Sequence, residues 1–283
     1  MTEKKIVGVD LGGTKVLAAR IHGTSIEQKE KTLITSNGTE TEVIDEIVST
    51  ITRILDSEVA GIGIGVPSVV DVEKGIVYDV QNIPSWKEVP LKSILEDRLQ
   101  LPVFVNNDAN CFALGEKHFG KGQPYTNMIG LIVGTGMAAG IIIDHQLYNG
   151  RNCGAGEFGM IPYKDQFIEY YAAGQFFQNV YQIDGQVVYE KAINGDAQAL
   201  QMFDELGHHL GNGIINILYA LDPEVIILGG SVSQAYSLFQ KSMWQQLDSF
   251  PFRSVLANLT IEVSENPDVA VLGAGALVLD AKK

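Results

Sequence analysis

The sequence predicts an α/β protein of two domains, and three observations carry that expectation. Strand and helix signals alternate along all 283 residues. A strand, a Gly/Thr turn and a second strand occur twice, near residues 6–21 and 128–143. Between the two repeats, Gly120-Lys121-Gly122-Gln123-Pro124 reads as a linker, and a domain boundary is placed there. A chain of this length divides naturally into two domains of about 100–150 residues.

The elements follow in order. The apolar run Ile6-Val7-Gly8-Val9 leads into the turn Asp10–Lys15, and Val16–Ile21 is the returning strand. Val43, Ile44, Ile47, Val48, Ile51, Ile54 and Leu55 recur at helical spacing. Gly61–Val66 reads as a buried strand ending at Pro67, and residues 70–78 as a strand–turn–strand around Glu73-Lys74-Gly75. A helix near Val89–Leu99 precedes the strand Pro102–Val105, and Asn107-Asp108 opens the helix Ala109–Phe119. The second half restarts with Met128–Val133, the turn Gly134-Thr135-Gly136 and Ala138–Ile143. Helical segments cover 168–182 and 197–221, the longer one stopped at Asp222-Pro223. Val225–Leu228 runs into Gly229-Gly230, and a helix at 234–247, a strand at 259–263 and a last helix at 268–281 complete the chain.

Composition narrows the function classes. Apolar residues make up 46% and charged residues 19% of the chain, as in an ordinary globular protein. The net charge of −14 is the wrong sign for gripping nucleic acid or anionic lipid. Any anionic ligand must be held by local donors. Cys111 and Cys153 are too few for a disulfide framework or a cysteine-based zinc site. The start of the chain is too short in apolar residues for a signal peptide, and the apolar run Met128–Ile143 is broken by four glycines. The expected compartment is the cytoplasm.

Phosphate chemistry is the strongest local signal. Gly12 and Gly13 let backbone N–H groups approach a ligand, Thr14 adds a hydroxyl, Lys15 a cation, and Asp10 a ligand for Mg²⁺ directly or through water. On these residues alone an ordinary Gly-rich hairpin is the stronger reading, and Lys15 serves equally as a phosphate contact or a solvated charge. Neither a G-x-x-x-x-G-K-[ST] loop nor a G-x-G-x-x-G fingerprint is present. Gly134-Thr135-Gly136 is a second phosphate turn, and Gly229-Gly230-Ser231 suits the nucleoside end. Asp108 is the base for an acceptor hydroxyl, set against the role of helix N-cap. Asn82, Glu157 and Glu169 offer amide and carboxylate groups suited to a polyhydroxylated ligand, while Glu169 also fits a helix-start charge and Trp86 fits the core better than stacking.

Taken together, DLGGTK at 10–15, GVPSVVD at 65–71, NIPSW at 82–86, NNDAN at 106–110, GTG at 134–136, GAGEFG at 154–159, IEYYAAG at 168–174 and DPEVIILGG at 222–230 resemble the ROK family of sugar kinases and sugar-responsive regulators. The resemblance implies an actin–hexokinase (ribonuclease H-like) fold of two α/β domains with ATP and sugar in the cleft between them. It implies a first domain of 1–120 completed by the helix 268–283, and a second of 121–267. It also implies roles: Asp10, Gly12, Gly13 and Thr14 at phosphate and Mg²⁺, Gly134–Gly136 at phosphate, Gly229 and Gly230 by the nucleotide, Asn82, Asn107, Glu157 and Glu169 on the sugar, and Asp108 as base. A homodimer is the implied assembly.

One departure stands out. Many members carry a histidine three residues after the loop glutamate, then three cysteines, which together bind a structural zinc. Here the histidine position is Met160, and Ile161–Phe167 holds no cysteine, so no structural zinc is expected. Met160 also replaces a polar sugar contact with apolar surface, while the phosphate turns and Asp108 are intact. The expected activity is ATP- and Mg²⁺-dependent phosphorylation of a hexose hydroxyl, glucokinase- or fructokinase-like. A non-catalytic sugar or nucleotide sensor is the alternative. A DNA-binding regulator would need a module ahead of Asp10, where no helix-turn-helix pattern is seen.

Overall fold

A strand buried on both faces reads as an unbroken apolar run, and β1 (Lys5–Leu11) is such a strand. In the computed structural model, which describes residues 4–151 and 153–281, it starts a sheet with β2 (Lys15–His22) and β3 (Ser25–Leu33), paired antiparallel in turn. The helix α1 (Glu40–Thr52) begins with a capping box: Thr39 Oγ1 accepts from Glu42 N at 3.3 Å and Glu42 Oε2 from Thr39 N at 2.7 Å. The next strand, β4 (Val59–Val66), lies parallel beside β1. A small antiparallel sheet follows from β5 (Val69–Asp71), β6 (Ile76–Tyr78) and β7 (Glu88–Val89). Then come α2 (Leu91–Leu99), β8 (Val103–Asn107) parallel to β4, and α3 (Asp108–Phe119). The main sheet order is β3-β2-β1-β4-β8. Its core gathers Val7, Val9, Ile47, Ile51, Ile62, Ile64 and Trp86, so the tryptophan is a packing residue.

The second half repeats the plan. Strand β9 (Met128–Val133) pairs antiparallel with β10 (Met137–Ile143). Residues Gln146–Ala155, which open with β11 (Gln146–Leu147), group with the first half. This lies outside the boundaries read from the sequence, and its cause is polar: Asn149 Oδ1 accepts from Asn106 and Asn110, and the Cys153 thiol donates to Asn106 Oδ1. A short hairpin, β12 (Pro162–Tyr163) with β13 (Gln166–Phe167), runs into α4 (Ile168–Ala172) and α5 (Phe176–Tyr181). Asp184 caps α6 (Gly185–Ile193), and Asp196 caps α7 (Ala197–Leu221), accepting from Ala199 N at 2.9 Å. The long helix stops where Asp222 turns left-handed (φ 43°) ahead of Pro223. Strand β14 (Val225–Gly229) lies parallel to β9; α8 (Tyr236–Leu247), α9 (Arg253–Asn258) and β15 (Thr260–Val263), parallel to β14, complete this half. The order β10-β9-β14-β15 reproduces β2-β1-β4-β8 in sequence and in strand sense.

The last helix, α10 (Val269–Asp280), packs on the first sheet. Gly8 on β1 and Gly63 on β4 allow it, because a Cβ on either would run into the carbonyl oxygens of Val271 and Ala274. The two compact units are therefore Met1–Gln123 with Gln146–Ala155 and Asn266–Lys283, and Pro124–His145 with Gly156–Glu265.

Candidate active site

In the first unit β1, β4 and β8 run parallel, so their carboxyl ends share one edge of the sheet, where α/β folds gather ligands. Asp10 lies opposite Gly65, and Asn107 opposite Val66. The turn after β1 closes by Gly12 N donating to Lys15 O at 2.9 Å. Asn82 arrives from the loop after β6, and a Cβ on Gly13 would stand 2.5 Å from its Cβ. The phosphate turn and the first sugar-binding residue read from sequence are thus neighbours. Thr14 and Lys15 are exposed on the same turn. Burial raises the Asp10 carboxyl above the usual carboxylate range, and the Lys15 charge partly offsets that. Lys15 therefore acts on Asp10 electrostatically.

Asp108 is the first residue of α3 and the cap is its neighbour. Asn107 Oδ1 accepts from Ala109 N at 2.8 Å, and Asn107 Nδ2 donates to Ser68 O at 3.2 Å. The N-cap alternative for Asp108 is corrected accordingly, although its own Oδ1 also accepts from Ala109 N. A Cβ on Gly65 would lie 3.7 Å from the Asp108 Cα, which brings Asp108 to the strand edge that carries Asp10. Beneath it is a polar layer that sequence reasoning missed. Asn106 Oδ1 accepts from Asn107 N (2.8 Å), Asn110 Nδ2 (2.9 Å) and the Cys153 thiol (3.2 Å). The run NNDAN holds its signal: two amides four apart across a strand-to-helix junction, Asn106 near the end of β8 and Asn110 in the first turn of α3.

In the second unit the turn Gly134-Thr135-Gly136 closes by Gly134 N donating to Gly136 O at 2.9 Å. One side of this turn meets Gly230 and Gly174: Gly174 N donates to Gly134 O at 2.7 Å, and a Cβ on Gly230 would lie 3.0 Å from Gly134 N. A cavity of about 450 Å³ opens there, with Gly134 and Thr135 on one wall and Gln175, Gln178, Tyr189 and Gln234 on others. None of those last four stood out in the sequence, because glutamine and tyrosine scattered over short helices make no motif. On the other side of the turn, Met137 N donates to Glu169 Oε2 at 2.8 Å. Gly136 admits that carboxylate, since a Cβ would be 2.7 Å from the same oxygen. Glu157 belongs to this group: burial first, and the Glu169 charge second, raise its carboxyl. Glu157, Glu169, Gly134, Thr135, Gly136 and Gly230 are brought together, with Gly229 ending β14 just before.

The ROK family model matches residues 6–281. The chain belongs to the ROK family. Among its relatives, the glucokinase of Thermotoga maritima is 28% identical, with 98% of each chain covered. The xylose repressor of Caldicellulosiruptor bescii is 32% identical over 78% of this chain and 63% of its own length. The crystal structure of a ROK family glucokinase from Streptomyces griseus with glucose and AMPPNP superposes with a TM-score of 0.79, at 28% identity, covering 96% of this chain and 98% of that one. The fold of this ROK protein is the actin–hexokinase type, its two α/β units each built on the repeated sheet.

Proposed function

We propose that this ROK protein is a sugar kinase that transfers the γ-phosphoryl group of ATP to a hydroxyl of a free hexose. One observation carries the reading: a single Gly-Thr-Gly turn has a nucleoside-sized cavity on one side and the Glu157–Glu169 pair on the other. The likeness to glucokinases supports it. A hexose, glucokinase- or fructokinase-like in class, is the acceptor.

The roles follow from chemistry. Tyr189 and the glutamines beside it supply a flat face and amide groups for a base and ribose. Backbone N–H groups of the turns at Gly12–Thr14 and Gly134–Gly136 stabilise charge that spreads over the transferring phosphoryl group. Glu157, Glu169, Asn82 and Asn107 orient the sugar hydroxyls, and Asp108 takes the proton of the attacking hydroxyl as its oxygen bonds to phosphorus in line with the departing ADP. The half-buried Asp10, whose carboxyl is desolvated within the field of the Lys15 charge, fits a hard cation. Asp10 would hold a magnesium ion directly or through water, and that ion would supply neutralisation of the phosphate charge. We further assign the protein to the cytoplasm as a homodimer without a nucleic-acid partner. The charge of −14 supports the last point, and among the described residues no helix is long and apolar enough to cross a membrane.

The test is ADP release with Mg·ATP across hexoses and amino sugars. Sugar-dependent turnover is expected, abolished in Asp108→Ala with nucleotide affinity nearly unchanged. The likeness to xylose repressors favours a sugar-binding sensor as the second reading. Sugar and ATP binding without turnover on any acceptor would establish that one instead.

A further inference from the structure

Asn110 is 1% exposed, lies two residues after Asp108 in the first turn of α3, and has no part in the chemistry described above. Backbone N–H groups in the first turn of a helix have no intrahelical acceptor, so side chains take over the task of holding the turn in place. On one side of Asp108 the cap Asn107 does this. On the other side Asn110 Nδ2 donates to Asn106 Oδ1 at 2.9 Å and to Asn149 Oδ1 at 3.2 Å, with the Cys153 sulfur 3.4 Å away. The turn that carries Asp108 is thereby tied to the end of β8 and to the segment after β11.

One backbone group sets the orientation of all three amides. The Asn107 N–H can only donate, so the Asn106 atom 2.8 Å from it is the oxygen. Asn106 Nδ2 then donates to Asn149 Oδ1 at 2.9 Å, and Asn110 must present its own Nδ2 to both oxygens. Asn110 Oδ1 is left buried without a partner among the described residues. A buried polar atom in that state lowers stability. Deleting the Asn110 amide removes this atom and strands no other. Asn106 Oδ1 keeps Asn107 N and the Cys153 thiol, and Asn149 Oδ1 keeps Asn106 Nδ2. By this balance Asn110 adds little to folding, and what it supplies is the tie on the first turn of α3.

We propose that Asn110 is a positioning residue for phosphoryl transfer: its amide holds the first turn of α3 to Asn106 and Asn149 and so fixes the place of the Asp108 carboxylate. It acts through Asp108, not on either substrate. The inference rests on the sugar-kinase reading and deepens it. The experiment compares full-length wild type, Asn110→Ala and the similarly sized Asn110→Leu, which keeps the packing and drops the amide. With the best acceptor of the hexose panel, the single-turnover rate of transfer should fall on the order of 10- to 100-fold in both variants, as when a reacting group is misplaced. KM for sugar and for ATP, the pH midpoint of the rate and the melting temperature should stay near their wild-type values, because a neutral group away from both substrates has gone. Hydrogen exchange at the Asp108 and Ala109 amides should quicken while that of β1 and β4 is unchanged. A wild-type rate in Asn110→Ala overturns the inference. So does a rate that Asn110→Leu restores, which would make packing the role of Asn110, or a rate loss that comes with a lower melting temperature and weaker protection across the first sheet. In all three cases wild-type turnover keeps the kinase reading. Absence of turnover on every sugar by folded wild type that binds ATP overturns the kinase reading, and the inference with it.

Discussion

The residue at which most of the second unit's chemistry meets is Glu169. One of its oxygens accepts from the Met137 N–H just past the phosphate turn, and its charge raises the carboxyl of Glu157. Two predictions follow from that position. In Gly136→Ala the added Cβ would stand 2.7 Å from Glu169 Oε2, so the flexible carboxylate must leave the Met137 N–H. Sugar KM should rise on the order of 10-fold, since small misplacements of orienting groups are expensive, while the melting temperature stays nearly constant. For Glu157 the raised carboxyl means that the folded protein holds this proton more tightly than the unfolded chain. Its stabilising contribution is full below the ordinary carboxylate range and is lost as pH rises through the raised value. Sugar affinity, which uses the ionised form to accept hydroxyl protons, should fall on acidification at a higher pH than an ordinary glutamate would give. A carbon-detected NMR titration of Glu157 should show its midpoint move down in Glu169→Gln yet stay above the ordinary range, because burial is the larger cause.

At the scale of elements, the hairpin β12–β13 is held to α4 and α7 by one buried histidine. His209 is 2% exposed, and its imidazole is lowered to about 4 by burial first, then by the Lys164 charge. Glu205, 3.6 Å away, acts in the opposite direction, His208 adds to the lowering, and the rings of Tyr163, Tyr171 and Phe176 enclose the rest. The neutral ring donates from Nδ1 to Tyr163 and accepts at Nε2 from Lys164, the tautomer that satisfies both partners. With the folded value below the unfolded value of about 6.5, the unfolded chain binds the extra proton first. Stability from this group is therefore present above about 6.5 and lost as pH falls toward 4, by up to about 3 kcal/mol. Urea unfolding of wild type should show that slope, and His209→Phe should flatten it; an equal slope in both proteins would refute the assignment. This clamp was not legible in the sequence, because two-residue strands carry no periodicity and a histidine inside a long amphipathic helix reads as core. The segment 168–182, read as one helix, divides between α4 and α5 for a related reason: Gly174 N–H donates to Gly134 O, a tertiary partner that local spacing does not reveal.

At the scale of the molecule, what the sequence disclosed is what short-range physics encodes. The strand–turn–strand repeats and the stop at Asp222-Pro223 are local, and the turns at Asp10–Lys15 and Gly134–Gly136 are marked by glycine. The walls of the cavity, the asparagine layer under Asp108 and the attachment of Gln146–Ala155 to the first unit depend on residues far apart in the chain. The last helix shows what such distant contacts do to folding. The chain completes its second unit before α10 returns to β1, β4 and α3, and residues Val271–Val278 of α10 are all buried in the first unit. Gly8 and Gly63 leave room for the helix backbone itself, with no side chain able to yield, so the closure is intolerant of added volume. Gly63→Ala should destabilise the first unit by about 1–3 kcal/mol, the usual cost of overpacking. Gly154→Ala, whose Cβ would meet nothing within 4 Å, should cost little by comparison. Hydrogen exchange locates the effect. In Gly63→Ala, amides of β1, β4 and α10 should lose protection together while those of β9 and β14 keep theirs, whereas uniform loss across both sheets would mean that α10 supports the whole chain as one cooperative block.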